Sequence, residues 1–148
     1  MSTIRKICVY CGSSPGADPI FQAAAENLGR ALAHEGIGLV YGGGGNGLMG
    51  IIARTVLEHG GHVTGIIPEF LQNREHRYDE AQEVHVVPDM HTRKRMMFEE
   101  ADAFIALPGG IGTFEELFEV WTWRQLGFHN KPIGLLNVDG YYDGLLAF

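Results

Sequence analysis

Pro108-Gly109-Gly110-Ile111-Gly112-Thr113 is the stretch of this chain best suited to hold an anion. An apolar run, 103–107, leads into it, and a helical pattern follows at once. The unpaired N–H groups and the dipole of such a helix start attract phosphate, and the Thr113 hydroxyl adds a donor. Three glycines in four positions exceed what a turn alone needs. A second run, Gly42-Gly43-Gly44-Gly45-Asn46-Gly47, reads as another wall of a nucleotide site. Within it Gly45-x-Gly47-x-x-Gly50 matches the dinucleotide fingerprint. That match follows the second expected strand instead of the first, and no P-loop lysine closes it.

Glu116 has two competing readings. The spacing Thr113-x-x-Glu116 is a capping box, in which the carboxylate reaches back to the Thr113 amide. Alternatively the carboxylate stands beside the phosphate cradle, binding a ribose hydroxyl or an oxocarbenium-like centre. The second reading needs a cation nearby, and Met90-His91-Thr92-Arg93-Lys94-Arg95 supplies one. On a helix Arg93 shares a face with Met90, Met97 and Glu100. It is either a snorkelling side chain or Glu100 partner, or a guanidinium fork aimed at phosphate or carboxylate. Lys94 faces a neighbouring direction and assists. Glu75 sits in a polar loop and, taken alone, reads as solvated surface.

The elements that must position these groups alternate. Strands are expected at 4–10, 37–41, 62–67, 83–87, 103–107 and 131–137. Helices are expected at 19–35 (with Asp18 as N-cap and Pro19 first), 48–59, 90–101, 113–126 and from 139 onward. The stretch 70–82 reads as loop with one helical turn. Alternating apolar strands and helices predict a single α/β domain, a Rossmann-like doubly wound parallel sheet with helices on both faces. Such sheets bind ligands beyond the carboxyl ends of their strands, where all the glycine-rich segments fall. The helix over 114–126 is apolar on nearly every side, which predicts burial on nearly every side and a C2 homodimer.

Composition narrows the function. With 148 residues and 45% hydrophobic content the chain supports one cored domain. A net charge of −7 weighs against a nucleic-acid polymer as partner. No apolar run is long enough to span a membrane, and no signal peptide is read at the N-terminus, so a cytoplasmic protein is expected. Cys8 and Cys11 form a lone C-x-x-C, read as two free thiols. Seven histidines show no ligand spacing, and no metal is expected. The apolar end, 145–148, reads as an unfinished helix, so a longer natural chain is expected.

Met90-His91-x-Arg93-Lys94, followed by Pro108-Gly109-Gly110-x-Gly112-Thr113-x-x-Glu116, resembles the LOG family of cytokinin riboside 5′-monophosphate phosphoribohydrolases, whose members were often labelled lysine decarboxylases. The resemblance extends over essentially the whole chain, including Cys11-Gly-Ser-Ser and Tyr41-Gly-Gly-Gly. It implies a Rossmann-like dimer that hydrolyses N6-modified AMP to free base and ribose 5-phosphate. It implies catalytic roles for Arg93 and Glu116. Substrate contacts are implied at Glu75, Lys94, Gly110, Ile111, Gly112, Thr113, Phe114, Glu115 and Thr122, with Ser13, Gly43 and Gly44 counted in the same set. No resident cofactor is implied. The decarboxylase label fits poorly: that reaction usually needs pyridoxal phosphate on a lysine, and the chain has only Lys6, Lys94 and Lys131. A non-catalytic carrier of a nucleotide or molybdenum cofactor, and a dinucleotide-dependent oxidoreductase, are the alternative readings.

Overall fold

The computed structural model describes residues 3–14 and 19–148. Six strands form one parallel sheet: β1 (Lys6–Tyr10), β2 (Gly38–Tyr41), β3 (Val63–Pro68), β4 (Glu83–Val87), β5 (Ala103–Ala106) and β6 (Ile133–Leu135). Their spatial order is β4-β3-β2-β1-β5-β6. The helices are α1 (Pro19–His34), α2 (Gly47–Glu58), α3 (Met90–Glu100), α4 (Ile111–Gln125) and α5 (Asp143–Ala147). The doubly wound expectation holds, and the Asp18 cap lies outside the described residues.

Strand alternation divides the core into two faces. Val9, Leu39, Tyr41 and Val63 pack against Ala25 and Leu32 of α1 and Ile52, Ala53 and Val56 of α2. Cys8, Tyr10, Val40 and Ile66 pack the other way, against Met97 of α3 and Val120 of α4. Cys8 and Cys11 fall on opposite faces, both buried and free. The C-x-x-C spacing therefore joins no bond here, and burial pushes both thiols up in pKa, away from the reactive range. Among the described residues no helix is long and apolar enough to cross a membrane.

The strand order reverses beside β1, whose neighbours are β2 and β5. That switch point opens a crevice at the carboxyl ends of β1 and β5. Two departures from expectation shape it. First, α4 starts at Ile111 with Gly110 as N-cap, not at Thr113. Thr113 is then the third helical residue and Glu116 the sixth, so the capping box is not formed. Second, the helix expected from 139 is interrupted. Asp139 and Gly140 take left-handed backbone at φ 51° and 71°, and a 3-10 turn at Val138–Gly140 precedes α5. The Asn137 side chain fixes this turn, accepting from the Tyr142 amide at 2.7 Å and donating to Asp143 at 2.7 Å.

Candidate active site

The crevice is a cavity of about 870 Å³ lined by the ends of β1, β2 and β5 and the starts of α2, α3 and α4. Arg93, Lys94, Glu75, Glu115 and Glu116 all line it, with Ser13, Gly110, Ile111, Gly112 and Thr113. Segments far apart in sequence thus converge on one site.

Arg93 sits on α3 and is only 4% exposed. Its Nε donates to the Ile66 carbonyl at 3.0 Å, and its Nη2 donates to the Gly42 carbonyl and to Glu75 Oε1, the latter at 2.9 Å. The guanidinium thereby ties the ends of β2 and β3 to the loop that follows β3. Glu100, its alternative partner in sequence, pairs with Lys6 instead. Glu75 is not solvated surface: its side chain is 16% exposed and salt-bridged to Arg93. Lys94 bonds Glu115 at 2.5 Å and Glu119 at 3.0 Å. Burial pulls the Lys94 ammonium down, but these two carboxylates outweigh it and hold its pKa above the usual value.

Both cations are therefore engaged with other carboxylates, and Glu116 forms no hydrogen bond or ion pair with any described residue. Its oxygens open to the cavity, since no sealed side-chain atom lacks a partner. Burial is the main cause that raises its pKa to about 7; Arg93 and Lys94 pull it down, while Glu115 and Glu75 push it up. A carboxyl with a pKa near neutrality, in a cleft, is suited to acid–base or electrostatic work on a ligand.

The glycine-rich segments differ in what they are for. A Cβ on Gly42 would collide with the Arg93 guanidinium, one on Gly43 with Ile67, and one on Gly44 with Met49 and Glu75. Gly47 has φ 55° and presses against the Ser13–Ser14 backbone, and Gly50 presses against the Gly45 carbonyl. The 42–50 run is explained by packing, with no ligand required. Gly43 and Gly44 do not line the cavity, whereas Gly42 does. The dinucleotide fingerprint is likewise a packing device, one strand away from the switch point. In the second turn, Gly109 is required by packing, because Thr113 fills the space its Cβ would take. Gly110 and Gly112 are different. A Cβ there would meet none of the described residues, and neither has a positive φ. Open space beside them, and amides at 110–112 that no described backbone group accepts from, match an anion supplied from outside.

Two predicted contacts fall elsewhere. Phe114 points away, stacking with Phe118 and meeting Tyr142 edge-on. Thr122 is exposed on α4 and does not line the cavity. Conversely, Met49, Leu71, Met90 and Met97 form an apolar wall, and Tyr141 borders the glycine turn. In the sequence Met90 and Met97 read as one stripe of a helix and Leu71 as part of a polar loop, and neither pattern signals a ligand wall. The outer stripe of α4 is open in the single chain, with Phe118 41% and Trp121 43% exposed, on the helix for which the sequence predicts a partner's cover.

A family model described as possible lysine decarboxylase matches residues 49–148. Over 147 residues the chain is 57% identical to the probable cytokinin riboside 5′-monophosphate phosphoribohydrolase LOGL5 of Oryza sativa subsp. japonica, covering 99% of this chain and 60% of that protein. It is 56% identical to the cytokinin riboside 5′-monophosphate phosphoribohydrolase LOG3 of Arabidopsis thaliana, covering 99% of this chain and 68% of that protein. The chain thus spans roughly two-thirds or less of these relatives' length. Among solved structures, the molybdenum cofactor binding protein of Rippkaea orientalis aligns with a TM-score of 0.77 at 26% identity, over 99% of this chain and 85% of that one. The Moco carrier protein of Chlamydomonas reinhardtii shares the fold, with a TM-score of 0.76 at 20% identity, over 98% of this chain and 84% of that one.

Proposed function

We propose, on the premise that this chain belongs to the LOG family, that it hydrolyses the N-glycosidic bond of an adenosine 5′-monophosphate bearing an N6 substituent. The products are free base and ribose 5-phosphate. The observation that carries the reading is the Glu116 carboxyl, without a partner among the described residues, opening onto the same cavity as the amides of 110–112, which no described backbone group accepts from. The amides seat the 5′-phosphate. The ribose then extends toward Glu116, whose carboxylate binds a ribose hydroxyl or the attacking water and stabilises positive charge at C1′. Water adds its oxygen to C1′, the C1′–N9 bond breaks, and the base leaves with a proton. Arg93 acts by holding Glu75 and the strand ends in place and by favouring the charged form of Glu116. The apolar wall of Met49, Leu71, Met90 and Met97 accommodates the N6 substituent.

Lysine decarboxylation fits this site poorly. Schiff-base chemistry needs an amine that loses its proton readily, and Lys94 is held as an ammonium between two carboxylates. The carrier reading has support from the Rippkaea orientalis likeness, at lower identity than the phosphoribohydrolases. Incubation with AMP and with isopentenyl-AMP, followed by assay for free base, separates the two. The expected result is base release, with kcat/KM rising with pH through a midpoint near 7 as Glu116 ionises. Tight binding of nucleotide without base release at any pH would favour the carrier and defeat the hydrolase.

The exposed Phe118 and Trp121 face of α4 supports a homodimer. Thr122 lies on the same stretch and reaches a nucleotide only in the partner's site. Sedimentation at micromolar concentration is expected to read about twice the monomer mass of 16.3 kDa; a monomer that still cleaves nucleotide removes the role of Thr122.

A further inference from the structure

Two adjacent tyrosines in the turn before α5 reach across to the glycine turn before α4. The Tyr142 hydroxyl donates to the Leu107 carbonyl at 2.6 Å. The Tyr141 hydroxyl donates to the Gly109 carbonyl. The pair thus grips the strand-to-helix turn on either side of Pro108. We infer that Tyr141 is a positioning residue for anion recognition: its hydroxyl sets the Gly109–Gly110 peptide so that the Gly110 amide is presented to the phosphate.

The need arises from the glycines themselves. Gly110 has no neighbour among the described residues within 4 Å of where a Cβ would be, and glycine pairs rotate freely. Openness suits a ligand, but it leaves the peptide plane undetermined. In a trans peptide the C=O and the following N–H point in opposite directions. Holding the Gly109 oxygen against Tyr141 therefore directs the Gly110 N–H away from the tyrosine, where no described backbone group accepts from it. A hydroxyl carries one proton. Tyr141 spends it on Gly109, so it has none for a phosphate and acts through the peptide.

The tyrosine is itself held. Its ring meets Phe21 of α1 edge-on at 5.7 Å and Tyr142 at 5.1 Å. Tyr142 is 1% exposed and anchors the turn, and its amide is fixed by Asn137. The left-handed Asp139 and Gly140 bring both rings to the same side of the β5 end. Tyr141 is 41% exposed, so its hydroxyl contributes little to the core.

The inference rests on reading the cavity as a nucleoside monophosphate site, and Tyr141→Phe tests it apart from that reading. The variant keeps both ring contacts and loses only the hydroxyl. Expected are an approximately tenfold rise in KM for AMP and in Kd for ribose 5-phosphate, with kcat within about twofold. Inhibition by adenosine, which lacks the phosphate, stays at its parent value, and so does the melting temperature. Tyr142→Phe serves as the structural comparator: it lowers the melting temperature and shifts ribose 5-phosphate affinity by no more than about twofold. Unchanged ribose 5-phosphate affinity in Tyr141→Phe overturns the inference, as does equal weakening of adenosine and AMP. A parent protein that binds ribose 5-phosphate but cleaves no nucleotide ends the hydrolase reading alone, and the binding arm still decides the role of Tyr141. A parent that binds neither ribose 5-phosphate nor inorganic phosphate ends both.

Discussion

At pH 8 the Glu116→Gln variant is expected to melt above the parent protein while releasing base about a thousandfold more slowly. The two effects have one cause. Burial raises the Glu116 carboxyl from an unfolded value near 4.5 to about 7. The folded state therefore binds this proton more tightly than the unfolded chain does. Below about pH 4.5 the carboxyl is neutral in both states and costs nothing. As pH rises from 4.5 to 7 the unfolded chain ionises first, and stability is lost across that window. Above 7 the loss is complete, at about 3 kcal/mol by linkage from the shift of Glu116. Glutamine keeps the volume and removes the charge, so thermal melts at pH 8 are expected to rise by roughly 5–10 °C, and melts at pH 4 to coincide with the parent. The same charge is what a developing oxocarbenium at C1′ requires. A group that destabilises its own fold and has no partner among the described residues is poised for a partner from outside. Full activity in Glu116→Gln would refute the catalytic role, and a lower melting temperature at pH 8 would refute the electrostatic one.

The middle of the sheet was legible because β2 and β5 are buried on both faces and read as unbroken apolar runs, as in IGLVY and AFIAL, whereas the edge strands β4 and β6 are only partly covered. Arg93 was legible as unusual because it shares a helical stripe with Met97, and the structure buries both. What it touches was not legible. Ile66, Gly42 and Glu75 lie 27, 51 and 18 positions away, and only the parallel register brings them together. Glu75 was misread for this reason, since a carboxylate in a polar loop looks the same in sequence whether it faces water or a guanidinium. Glycine poses the same difficulty. Residues 42–50 are glycine-rich because backbones and side chains crowd against them, whereas Gly110 and Gly112 have none of the described residues against them. The residue type is identical, and only the emptiness around it separates a packing turn from a ligand turn. Asp139-Gly140 carried a recognisable turn signal, yet the apolar residues beyond it favoured a continuous helix, and Tyr141 was hidden as a result.

Arg93 is the position where the fold and the site are hardest to separate, and a set of three variants separates them. Arg93→Met is expected to cost about 3–5 kcal/mol, because it strands the Glu75 carboxylate and the Gly42 and Ile66 carbonyls without their donor. Urea denaturation reads this as a lower midpoint. Adding Glu75→Leu removes the stranded charge, and the double variant is expected to recover a substantial part of the stability without recovering base release. Arg93→Lys keeps the charge but has no planar fork to reach Ile66, Gly42 and Glu75 together, so kcat/KM is expected to fall at least a hundredfold in a folded protein. Arg93 also lowers the Glu116 pKa. Residual activity in Arg93→Met is therefore expected to need higher pH than the parent, with the rising limb displaced above 7. That displacement is not produced by loosened packing alone. A rising limb that stays where the parent has it in Arg93→Met would reduce Arg93 to a structural tie; the double variant also loses Glu75, which raises the Glu116 pKa, and so reads stability alone. The catalytic burden would then fall on Glu116 and the amides of 110–112.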